Sequence, residues 1–179
     1  MAWTTPLTAV SNTALTAAQW NASVRDNLAL TPAGLATTSS QLWVSTAANA
    51  GAMRTPAAAS VVTAQTTNTI ATYGDLTTVG PTVTATTGTA CINSIYCSSS
   101  NSSAAATLMS FAVSGASTIA AADTWSIRVN IAAGLAMSMG MTYFTSGLTS
   151  GSNTFTAKYT TASGGTGSWS NRHLIAFPL

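Results

Sequence analysis

The sequence predicts a mainly β protein: an antiparallel β-sandwich of jelly-roll type, preceded by an extended N-terminal arm with one short helix. Three observations lead there. From about Ala57 onward apolar residues recur with period two in short runs. Turn signals separate the runs, among them Gly80-Pro81, Thr87-Gly88, Ser114-Gly115 and Gly164-Gly165-Thr166-Gly167. No helical period intervenes, which selects a sandwich. An immunoglobulin-like sandwich is the alternative, and the spacing of Cys91 and Cys97 does not support it.

Residues 1–14 contain Pro6 and several threonines but no apolar period, so they read as an extended arm, ordered only where something holds it. Residues 15–28, LTAAQWNASVRDNL, read as a helix. Thr16 is the N-cap, and Gln19 three residues on completes a capping box. Leu15 and Trp20 fall at the positions of a hydrophobic staple. Trp20, Val24 and Leu28 form an apolar stripe at i, i+4 and i+8, and Thr31-Pro32 stops the helix. A helix so short, with a stripe one residue wide, is marginal alone. It needs a partner: another subunit or a larger particle, or else its own β-domain.

The segment 31–57 reads as a linker with one hairpin. Leu42-Trp43-Val44 runs out, Ala48-Asn49-Ala50-Gly51 turns, Met53-Arg54 returns and Pro56 closes it. The expected organisation is therefore 1–30 arm and helix, 31–57 linker, 58–179 sandwich. Strands are expected at 60–66, 68–73, 82–87, 90–98, 106–113, 125–131, 135–144, 154–160 and 174–179, with the serine-rich 97–103 as a loop. In 125–131, Trp125, Ile127, Val129 and Ile131 alternate with Ser126, Arg128 and Asn130. In 135–144, Leu135, Met137, Met139, Met141 and Tyr143 share one face. Ala136, Ser138, Gly140 and Thr142 share the other, which is expected to admit a neighbouring subunit.

Only 4% of residues are charged, against about 25% in a typical globular protein. There is no Glu, the acids are Asp26, Asp75 and Asp123, and the five bases are scattered. Nucleic-acid binding needs clustered Lys and Arg, so this class is set aside. A surface so poor in charge suits a subunit that is soon buried in an assembly, or one that faces variable salt outside cells. No basic n-region or continuous apolar h-region opens the chain, so a signal peptide is not expected, and 131–148 is too interrupted to span a membrane.

Six residues of extended strand separate Cys91 from Cys97 by about 20 Å, at about 3.3 Å per residue, whereas a disulfide allows at most about 7 Å. Both are expected as free thiols. With one His, three Asp and no G-x-S-x-G elbow, neither a catalytic triad nor a convergent carboxylate pair is expected. No metal site or cofactor is expected either. The Asp75 and Asp123 positions suit turns, and His173 suits a surface or packing role. Trp125 reads as core. Trp3, Trp20 and Trp43 lie in segments too thin to bury them and read as docking contacts, since aromatics are enriched at interface cores. Trp169 reads as a loop aromatic, either at an exposed tip or folded over the sandwich edge.

The opening, from Trp3-Thr4-Thr5-Pro6 to Val24-Arg25-Asp26-Asn27-Leu28, resembles the N-terminal box of virion structural proteins of tailed phages that infect actinobacteria. In those proteins a W-T-T-P-like arm precedes a T-A-x-x-W/L-N-x-x-V/L-R-D-N-L helix. The segment 41–54, QLWVSTAANAGAMR, resembles a hairpin common in phage fibre and tail proteins, with Ser40-Gln41 where Gly-Asp is usual. The segment 147–179 resembles the last strands of β-sandwich domains in the same virion proteins. The resemblance covers somewhat under half of the chain.

It implies a non-enzymatic capsid decoration protein, made in the host cytoplasm and carried in the virion. Such a protein would form a homotrimer and bind the major capsid protein to reinforce the shell. A minor tail or fibre protein, contacting tail proteins and a host receptor, is the alternative. Particle docking is expected through Trp3, Leu7, Leu15, Trp20, Val24, Arg25, Leu28 and Trp43.

Overall fold

The computed structural model describes all residues except 1–3, 6, 9, 68–71 and 163. The chain divides into two units, Met1–Thr55 and Pro56–Leu179.

In the first unit the predicted helix forms, in three pieces. α1 (Ala17–Trp20) leads through one wide turn at Asn21–Arg25 into α2 (Asp26–Ala29). In the wide turn the Asp26 N–H donates to the Asn21 carbonyl, five residues back. Pro32 does not simply stop the helix. It opens a further turn, α3 (Pro32–Leu35), where its missing N–H costs nothing and Thr31 caps Gly34 N–H. The hairpin follows as β1 (Leu42–Ala47) and β2 (Ala50–Arg54), turned at Asn49 with φ +55°. Asparagine tolerates that left-handed conformation better than most residues.

The second unit holds β3 (Ala57–Val61), β4 (Gln65–Thr67), β5 (Thr82–Thr87), β6 (Ala90–Asn101), β7 (Thr107–Gly115), β8 (Ile127–Val129), β9 (Ala136–Ser146), β10 (Gly151–Thr161) and β11 (Gly167–Pro178). One sheet has the order β5-β10-β7-β8. The other has β3-β11-β6-β9, with β4 also pairing β11, and every pairing is antiparallel. With β3 and β4 taken as one interrupted strand, eight strands remain. The first then pairs the eighth, the second the seventh, the third the sixth and the fourth the fifth. That nesting is a jelly roll, as the sequence predicts. Its core joins Val83, Cys91, Ile95, Cys97, Met109, Phe111, Val113, Phe155, Tyr159, Trp169 and Leu174 from both sheets.

Several boundaries differ from the sequence reading. The stretch 97–103 is not a loop at its start: β6 continues to Asn101. Its serines fit the strand because Ser99 Oγ accepts from Thr107 Oγ1 (3.0 Å), while Ser98 and Ser100 stay half-exposed. The strand expected at 125–131 shrinks to Ile127–Val129. Residues Asp123–Trp125 form a tight 3-10 turn, from which Trp125 Nε1 donates to the Phe111 carbonyl (3.2 Å). Of the strand expected at 68–73, residues 68–71 lie outside the described ones and Thr72 and Tyr73 are not strand.

The largest correction is Trp169. It is neither a loop tip nor an edge flap but fully buried on β11, 5.4 Å from the Tyr159 ring. A β-bulge hides this from sequence pattern. Pairing with β6 shifts between Ser170 and His173, and Asn171 takes φ +48°. Gly167 and Trp169 point inward before the bulge, and Arg172, Leu174 and Ala176 after it. Bulges of this kind re-aim side chains. Here it turns Arg172 into the core, where its guanidinium sits 5.4 Å from the Tyr159 ring centroid. Nη1 donates to the Gly80 carbonyl (3.2 Å) and Nη2 to the Thr63 carbonyl (3.4 Å). His173 is left on the outer face, half-buried against Tyr96 at 5.5 Å.

Candidate docking site

The candidate site is built from the arm, the helix and the hairpin of the first unit. The helix start is held locally: Gln19 N–H donates to Thr16 Oγ1 (3.2 Å), and Thr16 N–H donates to Gln19 Oε1 (3.0 Å). This is the reciprocal box the sequence predicts.

The arm is held by the helix through its polar residues. Thr4 N–H and Oγ1 both donate to Asn27 Oδ1, at 3.1 and 3.0 Å. Asn27 Nδ2 donates back to the Thr4 carbonyl (3.3 Å) and to the Ser23 carbonyl (3.0 Å). Thr4 Oγ1 also reaches the Ala22 carbonyl (3.0 Å), and Leu7 N–H donates to Ser23 Oγ (3.0 Å). Asn27 is thereby buried with both ends of its amide satisfied. Thr4 and Leu7 of the arm and Ala22, Ser23 and Asn27 of the helix are thus two halves of one hydrogen-bonded clamp. The apolar pattern of the helix does not point to these polar contacts. The signal was a polar Asn on the flank of a helix beside a Thr-rich arm.

With the polar groups turned to the clamp, the apolar ones face solvent. Leu7, Val10, Leu15, Trp20, Leu28, Leu42 and Trp43 are all exposed, Trp20 by 55% and Leu28 by 62%. Val24 is half-buried. Arg25 pairs with Asp26 (Nε to Oδ1, 2.8 Å), which raises the guanidinium pKa further; the pair is solvent-exposed. Trp3 lies outside the described residues. Among the described residues of this unit no apolar side chain is buried. On the hairpin, Trp43 lies flat across Gly51, where a Cβ would meet its indole ring. A cavity of about 380 Å³ opens there, lined by Leu30, Trp43, Ser45, Ala47, Asn49, Ala50 and Gly51.

The other sequence-predicted residues lie in the second unit. Ala136, Ser138, Gly140 and Thr142 are all exposed on one side of β9. Cys91 and Cys97 are buried free thiols, and burial pushes each pKa up to about 12. The acids have separate local partners: Asp75 pairs with Lys158 (2.7 Å) and Asp123 accepts from the Tyr73 hydroxyl (2.8 Å). Burial raises the Tyr73 pKa. Among the described residues, no three of His, Cys, Asp and Glu gather as a metal site would require. No described helix is long and apolar enough to cross a membrane.

No family model matches the chain, and no curated protein matches it. Among solved structures it is similar to a chain of the infectious bursal disease virus Gx strain structure. The identity is 11% and the TM-score 0.43, over 75% of this chain and 36% of that one. The match thus spans little more than a third of that viral chain's length.

Proposed function

We propose that the protein is a non-enzymatic capsid decoration protein of a tailed phage, seated on the outside of the shell by its first unit. One observation carries the reading: every described buried apolar residue belongs to Pro56–Leu179, while seven large apolar residues of Met1–Thr55 are exposed. Fully burying each such side chain stabilises by about 1.5–3 kcal/mol. Ordering the chain costs about 1–2 kcal/mol per backbone residue, so several anchors must engage together. Many copies on one particle add avidity to weak single contacts. The scarcity of charge makes such attachment insensitive to salt. The resemblance of the Trp3–Leu28 box to virion proteins supports the same reading.

The test is rebinding to shells that lack the protein. The full chain is expected to bind, the 56–179 chain to remain unbound, and Trp20→Ala and Val24→Asp to weaken binding without changing the β spectrum. Equal binding by the truncated chain would place the anchor in the sandwich. The hairpin at Leu42–Arg54 favours a second reading, a minor tail or fibre component. Copy number per virion separates the two: hundreds for the shell, a few for the tail.

A further inference from the structure

The two sheets of the second unit present four edges. Three carry short strands: Ala57–Val61 with Gln65–Thr67 beside it, Thr82–Thr87, and Ile127–Val129. The fourth edge, β9, runs eleven residues from Ala136 to Ser146. A free edge offers unpaired backbone groups to any passing strand, and proteins protect such edges by shortening them or by placing charge, proline or a bulge there. β9 has none of these protections. It contains no charged residue and no proline, and it pairs with β6 in unbroken register from Ala90↔Ser146 to Ser100↔Ala136.

Apolar side chains flank that edge on both sides. Met139 and Tyr143 pack against the core, and Met137 and Met141 share their side of the strand yet are exposed by 42% and 41%. The facing strand β8 is only three residues long and cannot cover them. On the opposite side Phe144 is 65% exposed.

We infer that β9 pairs antiparallel with β9 of a second copy of this chain, joining two five-stranded sheets into one. Self-complementarity and charge identify the occupant. In the longest antiparallel register Ala136 faces Ser146, Ser138 faces Phe144, Met139 faces Tyr143, Gly140 faces Thr142, and Met141 faces itself on the two-fold axis. No pair brings like charges together, which cross-strand pairing penalises. The neighbouring outer rows, Ser94 with Thr142 and Ser98 with Ser138, are uncharged too. A foreign strand carrying ordinary edge charges finds no counter-charge on this surface, whereas a second copy needs none. The contact is isologous and closes as a dimer. It does not by itself generate the trimer that the sequence resemblance implies.

The test is the solution mass of the full chain by sedimentation and light scattering, with no particle present, so its outcome is separate from docking by the first unit. Wild type is expected to move with concentration toward twice the 18.0 kDa chain mass. Met141→Lys and Met141→Glu are each expected to be monomeric, and their equimolar mixture to recover the dimer. Opposed residues of an antiparallel pair lie about 4.5–5.5 Å apart at Cα, within disulfide reach of about 4.4–6.8 Å. Met141→Cys is therefore expected to form a covalent dimer on mild oxidation. Ser138→Cys, whose own copy lies far along the strand, is expected to stay single. A wild type that is monomeric at all concentrations, charged variants that keep the wild-type mass, or equal cross-linking at 138 and 141 would each overturn the inference.

Discussion

The two units solve the burial problem in opposite ways. The sandwich turns its large side chains inward: Trp169, Tyr159, Phe111 and Phe155 are each about fully buried. Buried Asn153 is satisfied within the sandwich: its Nδ2 donates to Thr87 Oγ1 (2.8 Å) and its Oδ1 accepts from Ser117 N–H (2.8 Å). The first unit inverts this. Its one buried side chain among the described residues is Asn27, and Trp20 and Trp43 face water. Hydrogen bonds hold the arm to the helix, and the apolar surface is left for something else to cover. One chain thus carries a domain with an apolar core and a unit with no buried apolar side chain among its described residues, and the second kind is the candidate for attachment.

The sharpest way to break this contrast is to remove one tryptophan from each unit. Trp169→Ala removes a fully buried ring and is expected to cost about 3–5 kcal/mol. Trp20→Ala removes an exposed one and is expected to stay within about 0.5 kcal/mol. Urea unfolding followed by circular dichroism reads both. A large loss from Trp20→Ala in the free chain would mean that the first unit has a core after all.

The next largest effect is alkaline. Cys91 and Cys97 ionise near 9.0 in an unfolded chain, but burial holds them protonated to about 12 when folded. Above pH 9 the unfolded state gives up protons that the folded state keeps, so stability falls as pH rises from about 9 to about 12. These two groups leave it unchanged below that window. The midpoint of thermal unfolding against pH is expected to fall less steeply over that range in the Cys91→Ala, Cys97→Ala double variant.

A smaller and purely local effect is expected from Asn27→Ala. It removes the acceptor of Thr4 and the donor to two carbonyls, bonds worth about 0.5–1.5 kcal/mol each. Limited proteolysis should cut the arm faster while the melting temperature of the sandwich stays put. The smallest is Lys158→Met. Its pair with Asp75 is partly exposed, so no more than about 1 kcal/mol is expected in the same urea assay.

What was legible in the sequence follows from how local each signal is. The Thr16–Gln19 box spans four residues and forms as read. Thr82–Thr87 alternates without interruption and forms with its predicted bounds. That Cys91 and Cys97 are free thiols follows from strand rise. Non-local pairing was harder to see. Serines 98–100 look like a loop until β11 is beside them, and the Asn171 bulge reverses which residues of β11 face inward. That reversal hid Trp169 and Arg172 together. In the first unit the apolar residues were legible as unsatisfied. The Asn27 clamp was not, because Thr4 and Asn27 are 23 residues apart.

Native-state amide hydrogen exchange on the free full-length chain tests the central contrast most directly, because exchange reports local opening free energies from near zero up to the global stability. Amides of β6, β10 and β11 are expected to exchange only through global unfolding. Amides of Ala17–Ala29 and the Leu42–Arg54 hairpin are expected to exchange orders of magnitude faster. Protection of the first unit equal to that of β6 would contradict the account, since it would show that Met1–Thr55 needs no partner to be complete.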